Sequence, residues 1–423
     1  MKRAHLWGIL WLSLAGALEG AMGCGGGSSS STTTGGGGGN GGGGGGATAN
    51  VQSIVVNTGP AAGPPTNVPY IDGAFTSVTV CVPGSTTNCQ TIGGILVDTG
   101  SSGLRILSSA LTISLPQQTA SNGDPVVECL PFVNGITWGP VQTADMTIAG
   151  EQAKSLPIQV IGSSNFPTIP NACTSFGAPE DDLSTLGANG ILGVGLAAQD
   201  CGTACTVSGP SNPGLYFACP AAGCELTTQS TTQSLSNQVQ NPIVLFPKDN
   251  NGVIIELPSV TGAETSVSGS MIFGIGTQTN NGLGSATVYT IDPSSGNFTT
   301  VFNNVTYQDN SFLDSGSNAL YFDSNTLNIP ICNDATFWYC PTTTLSLSAT
   351  NQGFGNGASG TINFTVGNAD TLTANLNDGV ANGLAGPNPG MFDWGLPFFF
   401  GRTVYTAIEG QNTPGGAGPY WAY

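Results

Sequence analysis

Residues 94–107, GILVDTGSSGLRIL, bring an apolar run up to Asp98 and then turn through four small residues. The Ile, Leu and Val before the carboxylate favour a stiff, buried strand, because such side chains pack well on a pleated surface. The glycine and hydroxyl residues at 99–102 allow close backbone approach and supply short hydroxyl donors. The stretch therefore predicts a carboxylate that is fixed at the end of a strand and held by its own turn.

A single turn of this kind is weak evidence for a functional site, because Asp followed by Thr and Gly also forms ordinary turns. A second copy, FLDSGS, occupies residues 312–317. Each copy is followed tens of residues later by two apolar residues and a glycine, ILG at 191–193 and FFG at 399–401. This repeated order predicts two lobes of like architecture, with Asp98 and Asp314 face to face at their interface.

The composition indicates an ordered, strongly acidic globular protein. Its 423 residues are enough for two lobes with a buried core, and 39% of them are hydrophobic. Charged residues make up only 7% of the chain, and the net charge is -18. Beyond the amino-terminal segment the basic residues are Arg105, Lys154, Lys248 and Arg402. We therefore expect no nucleic-acid partner, because these four residues are too few for a basic patch.

The single histidine, His5, lies in the amino-terminal segment. Without another imidazole a Ser-His-Asp or Cys-His arrangement cannot be assembled, and a metal site would need carboxylates, carbonyls or thiolates alone. We therefore expect no metal and no cofactor. If the protein is a hydrolase, its carboxylates must carry out the proton transfer.

Residues 1–23 predict an export signal. Lys2 and Arg3 supply a charged start, and the apolar run at 6–18 is too short for a comfortable membrane span. We therefore expect a protein of the cell envelope or a secreted protein.

The sequence AMGC at 21–24 resembles a bacterial lipoprotein cleavage box, in which Cys24 would carry a lipid. A simple secretory signal with a chance cysteine is the alternative. Residues 24–50 are rich in Gly, Ser and Thr, which predicts a flexible tether after the anchor. On this interpretation the protein contacts a membrane only through the lipid anchor at Cys24.

Beyond residue 50 the sequence consists of short apolar or alternating runs separated by Gly, Pro and Asn clusters. This pattern predicts an all-β fold. We expect an N-terminal lobe at 51–254 and a C-terminal lobe at 255–423.

The ten cysteines that remain when Cys24 is set aside are an even number, so five disulfides are possible in an exported chain. Short spacings favour the pairs Cys81 with Cys89 and Cys332 with Cys340. They also favour two local pairs within the group Cys201, Cys205, Cys219 and Cys224. Cys129 and Cys173 then remain as the fifth pair. A metal–thiolate site within the group of four is the alternative.

Five segments in order resemble the pepsin-like aspartic peptidase family. They are VDTGSSGLRI at 97–106, GANGILGVG at 187–195, GSMIFGIG at 269–276, LDSGSNALYF at 313–322 and LPFFFGRTVYTAIEG at 396–410. The resemblance implies a bilobal, all-β acid-protease fold with a cleft between two pseudo-symmetric lobes. It also implies a monomeric aspartic endopeptidase that binds a peptide or protein substrate in the interlobe cleft.

By this resemblance Asp98 and Asp314 are the catalytic pair. Two carboxylates held close together cannot both ionise easily, so one stays protonated at acidic pH while the other is an anion. The anion takes a proton from a water that attacks the peptide carbonyl, and the protonated partner stabilises the oxyanion and then protonates the amine. The pair titrates as a unit, so the sequence assigns neither role.

The other small residues of the two turns match family positions that support the pair. The resemblance implies hydroxyls that cross-link the turns (Thr99, Ser315), hydroxyls that bond the outer carboxylate oxygens (Ser101, Ser317), and glycines whose N–H groups hold the carboxylates coplanar (Gly100, Gly316).

Two positions depart from the family pattern. Arg105 stands where family members usually carry a tryptophan, and the flap tyrosine position falls at Phe132, with Trp138 as another flap candidate. In the family these two residues hydrogen-bond each other. Arg105 is a possible modulator that lies near Asp98 and lowers its pKa, or else it points to solvent.

These departures keep two other functions open. One is a non-catalytic pepsin-fold surface lipoprotein that binds a peptide or protein, since fold does not imply function. The other is a disulfide-bonded surface adhesin in which the two motifs are structural turns.

Overall fold

The computed structural model describes residues 50–60, 69–220, 223–324, 327–333 and 337–423. The predicted export signal at 1–23, the anchor Cys24 and the tether up to residue 49 lie outside these ranges. Across the described residues, no helix is both long and apolar enough to cross a membrane.

The described residues fold into 25 short strands, which confirms the predicted all-β class. The first ten are β1 (Val51–Asn57), β2 (Gly73–Cys81), β3 (Cys89–Asp98), β4 (Ser102–Leu107), β5 (Val126–Phe132), β6 (Gly135–Ile148), β7 (Glu151–Ile161), β8 (Gly190–Val194), β9 (Tyr216–Ala218) and β10 (Gly252–Leu257). The remaining fifteen are β11 (Ala263–Glu264), β12 (Val267–Phe273), β13 (Val288–Thr290), β14 (Phe298–Phe302), β15 (Val305–Leu313), β16 (Leu320–Tyr321), β17 (Leu345–Gln352), β18 (Ser359–Val366), β19 (Val380–Ala381), β20 (Ala385–Gly386), β21 (Phe392–Trp394), β22 (Arg402–Ala407), β23 (Asn412–Thr413), β24 (Gly416–Ala417) and β25 (Tyr420–Ala422).

Helices in the described ranges are single turns. The α-helices are α1 (Asn171–Thr174), α2 (Leu183–Leu186) and α3 (Ala369–Leu372), and the 3-10 turns are Ser108–Ala110, Gly202–Thr206, Leu235–Asn237, Pro242–Leu245 and Leu396–Phe398. Helix α2 shows how local sequence fixes such a turn: Asp182 caps its start, and Gly187, at a φ of 73°, ends it in the left-handed conformation.

Most strands belong to one of two sheets. The larger has the order β13-β25-β22-β10-β12-β1-β2-β3-β8-β4-β7-β6-β5-β9, and the smaller has the order β18-β17-β14-β15-β21-β16-β20. Strand β1 lies between β2 and β12, so the first strand joins the two halves of the chain. The predicted lobe boundary between residues 254 and 255 falls within β10, which pairs with β12 and β22 inside the larger sheet.

The same three-strand arrangement surrounds each aspartate. In the first half β3 runs parallel to β8, and β4 returns antiparallel on the far side of β8. In the second half β15 runs parallel to β21, and β16 returns antiparallel on the far side of β21. One large apolar cluster contains core residues of both arrangements, including Val97, Leu192, Leu313 and Trp394. This repetition agrees with the predicted pair of like lobes.

The segment behind the second turn is not the FFG that repeats the apolar-apolar-Gly order in the sequence. The parallel register places Leu313 opposite Trp394, so residues 393–395, Asp-Trp-Gly, occupy the place that 191–193 hold in the first half. The FFG of residues 399–401, which repeats the order of ILG in the sequence, lies elsewhere: it follows the Leu396–Phe398 turn and leads into β22. Asp-Trp-Gly does not match the apolar-apolar-Gly pattern of residues 191–193, because its first residue is a carboxylate.

Five disulfides join Cys81 to Cys89, Cys129 to Cys173, Cys201 to Cys205, Cys219 to Cys224 and Cys332 to Cys340. The three specified pairs and the expectation of local pairs within the group of four are therefore confirmed, and the structure adds which members of that group are joined. The alternative of a metal–thiolate site at 201–224 is wrong, because its four sulfurs are bonded to each other in pairs.

Asp72 joins the two halves of the chain by hydrogen bonds. Its backbone N–H donates to the Gly379 carbonyl at 2.8 Å, and its Oδ1 accepts from the Ala381 N–H at 2.8 Å. The side chain is buried, and burial raises the pKa of Asp72 to about 8 against the opposing effect of the Ala381 hydrogen bond. The folded protein therefore favours a neutral carboxyl at this junction.

We expect the stability of Asp72→Asn to depend less on pH than that of the wild type, in the range that ends at the Asp72 pKa of about 8. The stabilisation from the neutral acid is fully present below the unfolded pKa of about 4 and is lost as the pH rises through the folded pKa. The loss reaches about 1.4 kcal/mol per pH unit at most. Asn keeps the acceptor for Ala381 and does not titrate.

Denaturant unfolding from acid to alkaline pH measures this slope, with the exposed Asp181→Asn as the control. A slope that is equal in wild type and Asp72→Asn would contradict the account of Asp72.

Candidate active site

The structure brings Asp98 and Asp314 together at the ends of β3 and β15. Their carboxyl groups hydrogen-bond each other. The residues are 2% and 0% exposed, respectively. Two buried acids in direct contact share a proton more easily than they carry two negative charges.

Each carboxyl is held by its own turn in the same way. The Gly100 N–H donates to Asp98 Oδ1 at 2.7 Å, and the Gly316 N–H donates to Asp314 Oδ1 at 2.8 Å. The second oxygens accept from hydroxyls, Asp98 Oδ2 from Ser101 and Asp314 Oδ2 from Ser317. Both oxygens of each acid therefore have fixed donors, and the two carboxyl groups have matching donors within their own turns.

Thr99 and Ser315 cross-link the two turns. Thr99 Oγ1 donates to the Leu313 carbonyl at 3.1 Å and accepts from the Ser315 N–H at 2.9 Å. In return, Ser315 Oγ donates to the Val97 carbonyl at 2.8 Å and accepts from the Thr99 N–H at 3.1 Å. These four bonds join chain segments more than 200 residues apart, and they satisfy backbone groups that are closed off from water.

The turn glycines allow the two acids to meet. A Cβ on Gly100 would lie 2.7 Å from Asp314 Cγ, and a Cβ on Gly316 would lie 2.6 Å from Asp98 Oδ1. Each glycine therefore packs against the aspartate of the other half, where any side chain would collide with it.

The pair has a raised proton affinity. Burial raises the pKa of Asp98, while hydrogen bonds from Ser101, Asp314 and Gly100 and the charge of Arg105 lower it in part. Burial, followed by the charge of Asp98, raises the pKa of Asp314 well above its usual value. The pair thus holds a proton above the pH at which a solvated carboxylic acid loses one.

Arg105 is fully buried, so the prediction that it points to solvent is wrong. Its guanidinium donates to the Ser102 carbonyl at 2.8 Å and forms ion pairs with Glu128 at 2.7 Å and Asp200 at 3.0 Å. Its charge does lower the pKa of Asp98, although it is the smallest of the named causes. Arg105 therefore ties the first turn to β5 and to the loop after β8, where the family resemblance expects a neutral Trp–Tyr contact.

The flap candidates lie in apolar packing. The hairpin of β5 and β6 turns at residues 133–134, beside the pair Phe132 and Gly135. Phe132 packs in a buried apolar cluster. Trp138 is buried against Phe217, and its Nε1–H donates to the Phe166 carbonyl at 2.9 Å. That Phe132 or Trp138 forms a flap over the acid pair stays a prediction.

A cavity of about 450 Å³ borders the first turn. Its lining includes residues 99–102 of that turn, Leu130 and Pro131 of the β5–β6 hairpin, Asp200, and Phe312 of the second half. Leu130 and Pro131, rather than Phe132 and Trp138, are thus the hairpin residues that face this space. The lining is mixed, with apolar side chains beside the backbone and hydroxyls of the turn.

Asp393 is a neighbour of the pair that the sequence did not indicate. It is buried in β21, its carboxyl hydrogen-bonds the Ser317 side chain, and its charge raises the pKa of Asp314. The available signal is the glycine of the Asp-Trp-Gly triplet at 393–395, but the carboxylate at its first position departs from the apolar-apolar-Gly pattern of residues 191–193.

Comparisons with known proteins give a family match and a likeness to solved structures. The family model described as "Protein of unknown function (DUF3443)" matches residues 46–423. No curated protein sequence matches the chain. Among solved structures, the crystal structure of aspartic proteinase from Irpex lacteus is similar over 88% of this chain and 96% of its own, with 15% sequence identity and a TM-score of 0.49.

We expect Thr99→Val to destabilise the protein by about 2–5 kcal/mol, because it leaves the Leu313 carbonyl and the Ser315 N–H buried without their partner. Denaturant unfolding measures the loss, and Thr227→Val at an exposed position serves as the control. Equal stability of Thr99→Val and the control would show that the cross-link between the turns is not needed.

Replacing the buried cation should also be costly. Burial and the charge of Glu128 raise the pKa of Asp200 well above its usual value, and Arg105 opposes that shift. Arg105→Met leaves two buried acids without a cation and should cost about 3–5 kcal/mol at pH 7. The cost should shrink at pH 4, where Asp200 takes up a proton.

Arg402→Met is the matched control, because the Arg402 guanidinium donates to backbone carbonyls and no acid pairs with it within the described ranges. Its effect on stability should be the same at both pH values. An equally pH-independent effect of Arg105→Met would contradict the ion-pair account.

Proposed function

The chain belongs to the DUF3443 family of proteins of unknown function, and we propose that it is an aspartic endopeptidase. In this proposal Asp98 and Asp314 activate a water that hydrolyses a peptide bond, most effectively at acidic pH. The observation that carries the proposal is the two-fold hydrogen-bond network, in which each half contributes one acid, one glycine N–H, one bonded hydroxyl and one cross-linking hydroxyl.

The network supports water activation because it holds each acid by the same pair of donors and keeps the two acids in contact. With one proton on the pair, the ionised carboxylate accepts a proton from the attacking water. The protonated carboxyl donates a hydrogen bond to the developing oxyanion and then passes its proton to the leaving amine. No group outside the pair is needed for either transfer.

The surroundings favour Asp314 as the acid and Asp98 as the base. The charge of Arg105 lowers the pKa of Asp98, whereas the charge of Asp393 raises that of Asp314. Both effects move the shared proton towards Asp314. We propose that Asp98 accepts the proton of water and that Asp314 is the proton donor.

The substrate class in this proposal is a peptide or an unfolded protein segment that reaches the pair from the cavity at the first turn. The proposal includes a monomer that works outside the cytoplasm. Five disulfides support export, because such bonds form in oxidising compartments. The lipid anchor at Cys24 belongs to the same proposal.

A second candidate function is peptide or protein binding without hydrolysis. The low exposure of the two acids, 2% and 0%, favours it. In that case the two turns would form a rigid surface that a bound peptide segment contacts. The two candidates differ in a single outcome, which is whether bound peptide is cut.

Incubation of the purified protein with an unfolded protein substrate from pH 2 to 7 tests the proposal. Asp98→Asn and Asp314→Asn should each lower kcat/KM by about 10²–10⁴-fold or more, because each removes one proton-transfer group. Asp181→Asn, at an exposed position, should leave it unchanged.

Thermal unfolding must show that all four proteins are folded. Folded wild-type protein that binds but does not cut the substrate would support the binding function. Cleavage that persists in both Asp98→Asn and Asp314→Asn would show that the pair takes no part in the reaction.

A further inference from the structure

Asp393 adds a third buried carboxyl to the centre. It stands in the middle of β21, opposite Phe312 of β15 and opposite Tyr321 of β16. The corresponding position of the first half is Ile191, which lies opposite Arg105. The second half therefore has an acid where the first has an aliphatic side chain.

The Ser317 hydroxyl connects this acid to the pair. Ser317 Oγ lies 2.7 Å from Asp314 Oδ2 and hydrogen-bonds it, and the Asp393 carboxyl hydrogen-bonds the same side chain. A serine hydroxyl has a single proton to donate. When it donates to one of the acids it can only accept from the other. At least one of the two acids must therefore carry a proton.

The environment opposes ionisation of Asp393. The ionisable groups that face it are Asp314 and Asp98 in the two turns and the Tyr321 hydroxyl across the strand pair. Its Oδ1 is buried and accepts no hydrogen bond. Burial raises the pKa of Asp393 well above its usual value, and the charge of Asp98 acts in the same direction. A third negative charge here would be desolvated and uncompensated.

We propose that Asp393 is a third acid of this centre, which exchanges a proton with Asp314 through Ser317 and keeps one proton on the Asp98–Asp314 pair to higher pH. The exchange is balanced. Asp393 passes its proton to Ser317 Oγ while Ser317 passes its own to Asp314 Oδ2, which leaves Asp393 as a carboxylate and Asp314 protonated.

Asp393 acts on the reaction through Ser317 and Asp314, so it is a positioning residue. Its effect on catalysis rests on the proposed peptidase function, whereas the proton exchange itself does not. Once Asp393 is ionised, its negative charge makes removal of the last proton from the pair more difficult. The active, singly protonated pair therefore extends over a wider pH range than two carboxyls alone would allow.

Asp393→Asn is the informative variant, because the amide keeps the size and a donor for Ser317 but does not titrate. In the pH profile of kcat/KM, its alkaline limb should move to lower pH by about one unit or more, the size expected for loss of a nearby like charge. The acid limb should stay in place. A purely structural role would lower activity at every pH and leave the limb unmoved.

The same coupling can be measured without catalysis, by unfolding at a series of pH values. The difference in stability between wild type and Asp314→Asn isolates the contribution of the pair. Because burial raises the folded pKa of the pair, that contribution is present at low pH and is lost as the pH rises. The loss should occur at lower pH, again by about one unit or more, when Asp393 is already Asn.

Wild type, both single variants and the double variant complete this cycle, with Asp181→Asn as the exposed control. If Asp393→Asn fails to fold, Asp393→Ser must give the same shift. An unmoved transition in the unfolding cycle overturns the proposal. A moved transition in a protein that cuts no peptide would uphold the third acid and refute the proposed peptidase function.

Discussion

The reciprocal hydrogen bonds of Thr99 and Ser315 are the constraint on which the centre depends. They tie the ends of β3 and β15 together through four backbone groups that are buried between the two turns. Once the two turns are locked, the glycines bring each aspartate against the opposite turn. Contact between two desolvated carboxyls then makes a shared proton the favourable state.

The two halves repeat the backbone but differ in the charges beside it. At equivalent positions the first half has Arg105 opposite Ile191, and the second has Tyr321 opposite Asp393. The cation of the first half is compensated by Glu128 and Asp200, whereas the acid of the second half bonds Ser317. Pseudo-symmetric strands thus create an asymmetric field, and in the proposed peptidase reaction this field separates the proton acceptor from the proton donor.

The repeated Asp-x-Gly-Ser turn predicted the acid pair, the family resemblance implied its supporting residues, and the short apolar runs beyond residue 50 predicted the all-β class, because tight turns and apolar strands have strong local signals. The neighbours of the pair were harder to foresee. Arg105 has several acids within reach in three dimensions, and sequence spacing does not reveal that Glu128 and Asp200 surround it. Asp393 was missed because a buried carboxylate replaces an apolar residue, and only strand register exposes that replacement.

The most direct test of the central claim is single-turnover cleavage of an unfolded protein in ¹⁸O-labelled water at acidic pH, followed by mass spectrometry. Water activation by Asp98 and Asp314 predicts one ¹⁸O atom in each new carboxyl terminus and no covalent adduct between protein and peptide. An intact substrate beside folded wild-type protein, or a covalent peptide adduct, would contradict the claim.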